Sequence, residues 1–81
     1  ALADLYQKQA KLDEALEVCQ RAITGDPTLE AAYRLCMQIY QRIGDRQAIL
    51  RTYQACADAL KQNLSLRPSK ETEDLYRKLV V

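Results

Sequence analysis

Apolar residues recur every three or four positions through most of the chain, which is the spacing of one face of an α-helix. The pattern is clearest near the middle, where the apolar positions are Leu29, Ala32, Tyr33, Cys36, Ile39, Tyr40 and Ile43. A second stretch of this kind should bury Ile49, Tyr53, Cys56, Ala57, Leu60 and Leu64 in its helix. The pattern predicts an all-α protein.

Four breaks divide the pattern into about five predicted helices. A polar stretch around Lys11 is the first break, after which Asp13 can cap a second helix. The second break is Gly25 to Pro27, in which the glycine suits a left-handed C-terminal cap, the aspartate an N-cap and the proline the next helix's first turn. Gly44-Asp45 and Pro68-Ser69 are the other two breaks. Since every connection is short, neighbouring helices should be antiparallel.

The predicted helices form a repeating pair. The phrase ADLYQK near the start is echoed by MQIYQR and EDLYRK, so Tyr6, Tyr40 and Tyr76 lie 34 and then 36 positions apart. A period of 34 residues with two helices per unit is typical of tetratricopeptide repeats. The residues that carry this resemblance in the first unit are Leu2, Tyr6, Ala15, Ala22 and Pro27.

The tetratricopeptide resemblance implies antiparallel helix pairs in a right-handed superhelix. We expect residues 1–81 to be a single domain fragment, with repeat 1 at about 1–27, repeat 2 at about 28–67 and the start of repeat 3 at about 69–81. Because the chain begins inside a helical pattern and without Met, we expect it to be part of a longer protein.

A more specific resemblance covers nearly the whole chain. The segments LDEALEVCQRAITGDPTLEAAYRLCMQIY, at 12–40, and GDRQAILRTYQACADALKQNLSLRPSKETEDLYRKL, at 44–79, resemble the bacterial transcriptional activator domain. Members of that family typically read EEAL, DPxxE, GDR, PSxET and LY at these places. The family's usual glycine after the fourth helix is Ser65 here, and its usual acidic residue two places earlier is Asn63. The resemblance implies a module of a bacterial regulator, commonly preceded by a winged DNA-binding domain.

Composition argues against catalysis, nucleic-acid binding and membrane insertion. Twelve basic and eleven acidic residues leave a net charge of +1, too small to draw the segment onto DNA, RNA or an anionic membrane. No apolar run approaches the roughly 18 residues of a membrane span. His is absent, and the two glycines form no phosphate-binding loop. We therefore expect no enzyme activity, no catalytic residue and no cofactor.

The three cysteines, Cys19, Cys36 and Cys56, each fall on an apolar helical face. Their spacings of 17 and 20 include no CxxC pair, and without His there is no complete set of zinc ligands. Free cysteine packs as a small hydrophobic residue. We expect all three in the core, no metal site, and a reducing, cytoplasmic setting.

The candidates for binding a partner are polar positions opposite the apolar face. In tetratricopeptide arrays the first helix of each pair lines the concave face, and the family's spacing selects Lys8, Arg34, Gln38, Gln41 and Arg42. Their basic and amide groups could receive an acidic protein segment. An ordinary solvated helix face would present the same residues. A DNA recognition helix would also use Arg34, Gln38 and Arg42, but the near-zero net charge argues against it.

The helical repeat predicts a non-catalytic scaffold, and the resemblance to the activator domain implies a protein–protein interaction and signal-transmitting module of a bacterial transcriptional regulator. Its partners would be proteins, namely a neighbouring DNA-binding or sensor domain and the transcription machinery, with no direct contact to nucleic acid or membrane. Apolar residues at both ends, Leu2 and Leu79 to Val81, also predict docking of flanking helices or a homo-oligomer. The alternative is a generic tetratricopeptide scaffold or adaptor in an assembly or secretion pathway, which further 34-residue units in the full gene would favour.

Overall fold

The described chain contains four α-helices, one fewer than predicted. The computed structural model describes the backbone of residues 2–80 and the side chains of residues 11–80. The helices are α1 (Leu2–Gly25), α2 (Glu30–Ile43), α3 (Arg46–Leu64) and α4 (Lys70–Val80). Residues 2–80 contain no strand. The all-α prediction is confirmed.

The predicted break near Lys11 does not occur. α1 runs without interruption through this stretch and holds Asp13 inside the helix, so the prediction of a second helix starting there is wrong. Residues 7–12 consist only of Gln, Lys, Ala and Leu, which are all strong helix formers. A lapse in apolar spacing therefore changes which face is polar without ending the backbone hydrogen bonds.

α1 ends where Pro27 removes the next backbone donor. The N–H of Asp26 still donates to the carbonyl of Ala22 at 2.9 Å, whereas Pro27 has no N–H to continue the series. The predicted left-handed cap at Gly25 is wrong, since within residues 2–80 Gly44 is the one glycine with positive φ. Gly25 keeps a helical backbone because the helical hydrogen bonds continue one residue beyond it.

Asp26 closes a turn and does not cap a helix. Its Oδ1 accepts from the Thr28 hydroxyl at 2.7 Å and from the Thr28 N–H at 3.1 Å, and these two bonds lower the pKa of the carboxyl. α2 begins only at Glu30, with Leu29 as its N-cap and no side-chain cap. The predictions of Asp26 as N-cap and Pro27 in the first turn of α2 are therefore wrong. The Asp26 carboxylate bonds within the turn because the N–H and hydroxyl of Thr28 are the donors nearest to it.

The connection between α2 and α3 follows the prediction. Gly44 has a left-handed backbone, with φ 89° and ψ 19°, and its N–H points back to the carbonyls of Tyr40 and Gln41. The side chain of Asp45 accepts from the N–H of Ala48 at 3.0 Å. The glycine stop and the acidic N-cap are both confirmed.

α3 ends on a residue that is not glycine. Ser65 has φ 54° and ψ 36°, and it is the one non-glycine residue with positive φ within residues 2–80. Its N–H donates to the carbonyl of Lys61 at 3.1 Å, and the N–H of Leu66 donates to that of Leu60 at 3.2 Å. A left-handed backbone costs an L-residue about 1–2 kcal/mol. Ser65 therefore adopts the conformation for which the family's usual glycine is suited.

Ser65→Gly should stabilise the fold by about 1 kcal/mol, because glycine adopts the left-handed backbone without the penalty. The larger conformational entropy that glycine loses on folding offsets part of this gain. Urea unfolding followed by circular dichroism measures the change. The matched control is Gln54→Gly, at an exposed position inside α3, which should lose about 1 kcal/mol. A Ser65→Gly variant no more stable than the wild type would contradict the assignment.

α2 is the central helix of the described fold. It packs against α1, α3 and α4, and α3 also contacts α4. The buried side chains include two clusters: Cys19, Cys36 and Ile39 between α1 and α2, and Tyr33, Cys56 and Leu60 between α2 and α3. The core position predicted for all three cysteines is confirmed, and each is a free thiol. None of the four helices combines the length and apolar character that crossing a bilayer requires.

The buried residues of α2 differ from the apolar positions that the sequence places on one helical face. Met37, which is not one of those positions, is 0% exposed, whereas Leu29 and Ile43, which are, have exposures of 40% and 44%. Neighbouring helices enclose the side chain of Met37, whereas Leu29 and Ile43 lie on parts of the α2 surface that these helices leave open. The apolar spacing therefore does not identify the buried residues at the two ends of α2. The prediction that Leu64 is buried in the next helix is wrong, since it is 52% exposed.

Candidate functional site

Four of the five predicted partner-binding residues lie on α2. Gln38, Gln41 and Arg42 are exposed, and Arg34 is half-buried. Lys8 lies in α1, but its side chain is outside the described ones. That these residues bind a partner stays a prediction. Their surroundings divide them into two sets, since Arg34 contacts the start of α4 and the other three lie further along α2.

Gln38, Gln41 and Arg42 open into a groove between α2 and α4, which we call the α2–α4 groove. Its volume is about 240 Å³. The lining residues are Gln38, Gln41 and Arg42 from α2 and Leu75, Lys78 and Leu79 from α4. This described lining thus comprises two basic groups, two amides and two leucines, without an acidic side chain.

A second groove lies on the other side of α2, between α1 and α2. Its volume is about 260 Å³, and its lining residues are Leu12, Ala15, Leu35, Gln38, Ile39 and Arg42. Gln38 and Arg42 line both grooves, so they stand on the ridge that separates them. A ligand in either groove would reach the same amide and guanidinium groups.

Arg34 belongs to a hydrogen-bonded cluster between α2 and α4, formed with Glu30, Ser69 and Thr72, which we call the polar clasp. Glu30 Oε1 accepts from the Ser69 N–H at 2.7 Å and from the Thr72 hydroxyl at 2.9 Å. Arg34 Nη1 donates to Thr72 Oγ1 at 2.9 Å. Thr72 is fully buried, and every buried polar side-chain atom in the described part of the chain has a partner. The clasp therefore ties the start of α4 to α2.

Ser69 also caps α4, as predicted. Its Oγ accepts from the Thr72 N–H at 3.4 Å, and its carbonyl accepts from the Glu73 N–H at 3.0 Å. Glu71 and Glu73 lie in the first turn of α4, where the helix dipole favours negative charge. Glu71 Oε2 lies 4.0 Å from Arg34 Nη2, so the capped helix start adjoins the clasp.

The clasp holds Glu30 in its charged form. Burial alone would raise the pKa of its carboxyl, but the bonds from the Ser69 N–H and the two hydroxyls, with the charge of Arg34, outweigh burial and lower the pKa below 4.5. Because the pKa of Glu30 is lower in the folded than in the unfolded chain, the charged carboxylate stabilises the fold at pH values above its unfolded pKa. This stabilisation is lost as the pH falls through the folded pKa. The clasp is therefore weakened by acid.

The predictions assign no role to three of the polar residues in these sites, namely Glu30, Thr72 and Lys78. Glu30 and Thr72 are the last residues of the segments that match DPxxE and PSxET, so the resemblance pointed to both positions. Lys78 follows Arg42 by 36 positions, the same offset that relates Tyr76 to Tyr40. Lys78 could therefore have been predicted from Arg42 by this offset.

Cys36 and Cys56 supply no reactive thiolate. Burial raises the pKa of Cys36 to about 12, with a further contribution from neighbouring Cys19, and burial raises the pKa of Cys56 to about 11. Near neutral pH Cys36 and Cys56 are protonated and pack as small apolar groups. No group of three or more His, Cys, Asp and Glu side chains that could hold a metal occurs among the described residues.

Comparison with known proteins identifies the family. The family model described as the bacterial transcriptional activator domain matches residues 1–80. The chain therefore belongs to the bacterial transcriptional activator domain family, a family of regulatory domains of transcriptional regulators. No solved structure matches the chain.

Proposed function

We propose that this chain is a non-catalytic protein–protein interaction module that transmits signals within a bacterial transcriptional regulator. The family match over residues 1–80 is the observation that carries the proposal. The exposed basic and amide side chains beside the α2–α4 groove support it, because they offer a surface suited to a protein segment.

The helices of this module form a tetratricopeptide-like right-handed superhelix of antiparallel pairs, with α2 and α3 as one pair and α4 opening the next. Contacts of α2 with both α3 and α4 support this arrangement, because equivalent helices of successive pairs lie side by side in such arrays. The 36-residue offset between Tyr40 and Tyr76 supports it as well. The repeat boundaries at about 27 and 67 stay predictions.

The partners of the module are proteins in the cytoplasm: the regulator's own DNA-binding or sensor domain and the transcription machinery. A net charge of +1 supports protein partners over nucleic acid, whose phosphates favour strongly basic surfaces. The clasp offers a physical route for a signal, since a ligand that moves α4 also strains the hydrogen bonds holding it to α2. The family match favours this function over a generic adaptor.

Removing residues 1–80 from the intact regulator tests the proposal. Transcription from the regulator's promoter and affinity for promoter DNA are measured on the same preparations. We expect transcriptional activation to be lost while DNA affinity stays within about threefold, which is about 0.7 kcal/mol. Unchanged activation would contradict a signal-transmitting role. A large, steeply salt-dependent loss of DNA affinity would instead indicate direct contact with nucleic acid.

A further inference from the structure

We propose that the α2–α4 groove binds an acidic peptide segment of a partner protein, in which carboxylates alternate with apolar side chains. This inference rests on the proposed function, because it assigns that function to one surface and one chemistry of ligand. The apolar side chains would pack on Leu75 and Leu79, and the carboxylates would meet Arg42 and Lys78.

The charge of the groove favours an acidic ligand. Basic and acidic residues are nearly balanced in the whole chain, at twelve and eleven, yet the groove lining contains Arg42 and Lys78 and no acid. The ion pairs among the described side chains are Arg21 with Glu17 and Arg34 with Glu71, and the groove's two basic groups take part in neither. The guanidinium of Arg42 can hold a carboxylate by two parallel hydrogen bonds.

The spacing of the lining residues suits an alternating sequence. Leu75 and Leu79 are one helical turn apart and half-buried, so they form an apolar strip along α4. Lys78 is exposed beside that strip, and Arg42 faces it from α2. A peptide with an apolar side chain on the strip would therefore place its neighbouring carboxylates toward basic groups on both sides. Gln38 and Gln41 can serve its backbone amides, since each side-chain amide both donates and accepts.

The size of the groove favours a peptide over a small molecule as its ligand. Its volume of about 240 Å³ lies below the roughly 300–1,000 Å³ of small-molecule sites, but a shallow groove can hold side chains of a longer chain that continues beyond it. Nucleic acid is disfavoured because its binding depends on neutralising many phosphates, whereas this lining supplies two positive charges. The neighbouring α1–α2 groove gives a longer peptide room to continue across Gln38 and Arg42.

The groove can be altered without breaking the clasp. Arg42 lies in the last turn of α2 and Lys78 in the last turn of α4, whereas Glu30 and Thr72 lie at the starts of these helices. Arg34 is left unchanged in the test, because its guanidinium bonds the buried Thr72. Exposed side chains at positions 42 and 78 can thus be replaced while the packing is retained.

The test uses the 81-residue chain and an end-capped, fluorescein-labelled eight-residue peptide that alternates Glu and Leu. Fluorescence anisotropy measures binding at low salt. We expect Arg42→Ala with Lys78→Ala to weaken the affinity at least tenfold. The matched control, Arg46→Ala with Arg77→Ala, removes the same charge outside the groove and should change affinity less than twofold. A peptide with Gln in place of Glu should bind the wild type at least tenfold more weakly.

Charge reversal gives a second, independent test. Arg42→Glu with Lys78→Glu should lose the Glu–Leu peptide and bind a Lys–Leu peptide of the same length more tightly than the wild type does. Circular dichroism and thermal melting confirm that each variant is folded. A 20-base-pair duplex measured in parallel should bind more weakly than the Glu–Leu peptide.

Three results would overturn the inference: no binding of the Glu–Leu peptide to the wild type, equal losses in the groove and control variants, or tighter binding of the duplex through the same two residues. These outcomes are distinct from failure of the proposed function. If deleting residues 1–80 abolishes activation but the groove variants bind the peptide like the wild type, the function stands and the groove assignment falls. If deletion leaves activation intact, the proposed function itself falls.

Discussion

Met37→Ala should destabilise the fold by about 2–5 kcal/mol. Met37 is completely buried on the central helix, so truncation removes apolar contacts and leaves a cavity that packed helices cannot fully close. Denaturant unfolding gives the free energy directly. For a chain of this size, each kcal/mol corresponds to a fall of about 4–8 °C in Tm, so thermal melting should show a large shift.

Two variants separate the cavity effect from general sensitivity of α2. Met37→Leu keeps a similar volume and should cost less than about 1.5 kcal/mol. Leu35→Ala, two positions away and 48% exposed, should cost well under half as much as Met37→Ala. Equal losses at positions 35 and 37 would mean that α2 is oriented differently about its axis.

Thr72→Val should destabilise the fold by about 1–3 kcal/mol, although valine has nearly the same shape as threonine. The fully buried hydroxyl donates to Glu30 and accepts from Arg34. Valine therefore removes one hydrogen bond from each of these two charged groups. Thr24→Val is the matched control, since the Thr24 hydroxyl is exposed and bonds only within its own helix. The control should stay within about 0.5 kcal/mol in urea unfolding.

The same cluster makes this stability depend on pH. Because the folded pKa of Glu30 is lowered, the wild type should lose part of its stability as pH falls from about 4.5 through the folded pKa. Glu30→Gln removes the titrating carboxyl, so its unfolding free energy should fall less steeply over that window. Equal pH dependence in the two proteins would show that Glu30 is not charged within the clasp.

The clasp gives a physical role to two segments that carry the family resemblance. Glu30 ends the DPxxE segment, Thr72 ends the PSxET segment, and the two side chains share a hydrogen bond of 2.9 Å across 42 positions of sequence. Neither side chain is free to bind a ligand, since Thr72 is fully buried and the Glu30 carboxylate is engaged by Ser69 and Thr72. These segments therefore hold α4 in place, and the exposed groove residues remain available for a partner.

Features that depend on a few consecutive residues were predictable. Hydrogen bonds within one turn determine the left-handed stop at Gly44, the cap at Asp45 and the cap at Ser69. The burial of the three cysteines was predictable as well, because each lies at the centre of an apolar helical face. For such features the competing conformations cost more than about 1 kcal/mol, so local chemistry decides.

Predictions were wrong where two local solutions are close in free energy. Asp26 could cap a helix or close a turn, and the nearby Thr28 hydroxyl and N–H favour the turn. Lys11 to Asp13 could end one helix and begin another, but strong helix formers on either side allow α1 to continue. The first outcome moves the start of α2 and the second removes one helix from the count, and neither changes the fold class.

The amino-acid pattern thus suffices for the all-α class, most helix ends and the polar side of α2, since each depends on spacing along one helix. It cannot assign Met37 to the core or Leu29 and Ile43 to the surface, because that depends on how many neighbours surround each part of α2. The clasp and the α2–α4 groove join residues 33 or more positions apart, and no local interaction specifies such meetings. Only the packing of α4 against α2 brings Thr72 to Glu30 and Lys78 to Arg42, because burial of distant apolar faces determines which polar groups become neighbours.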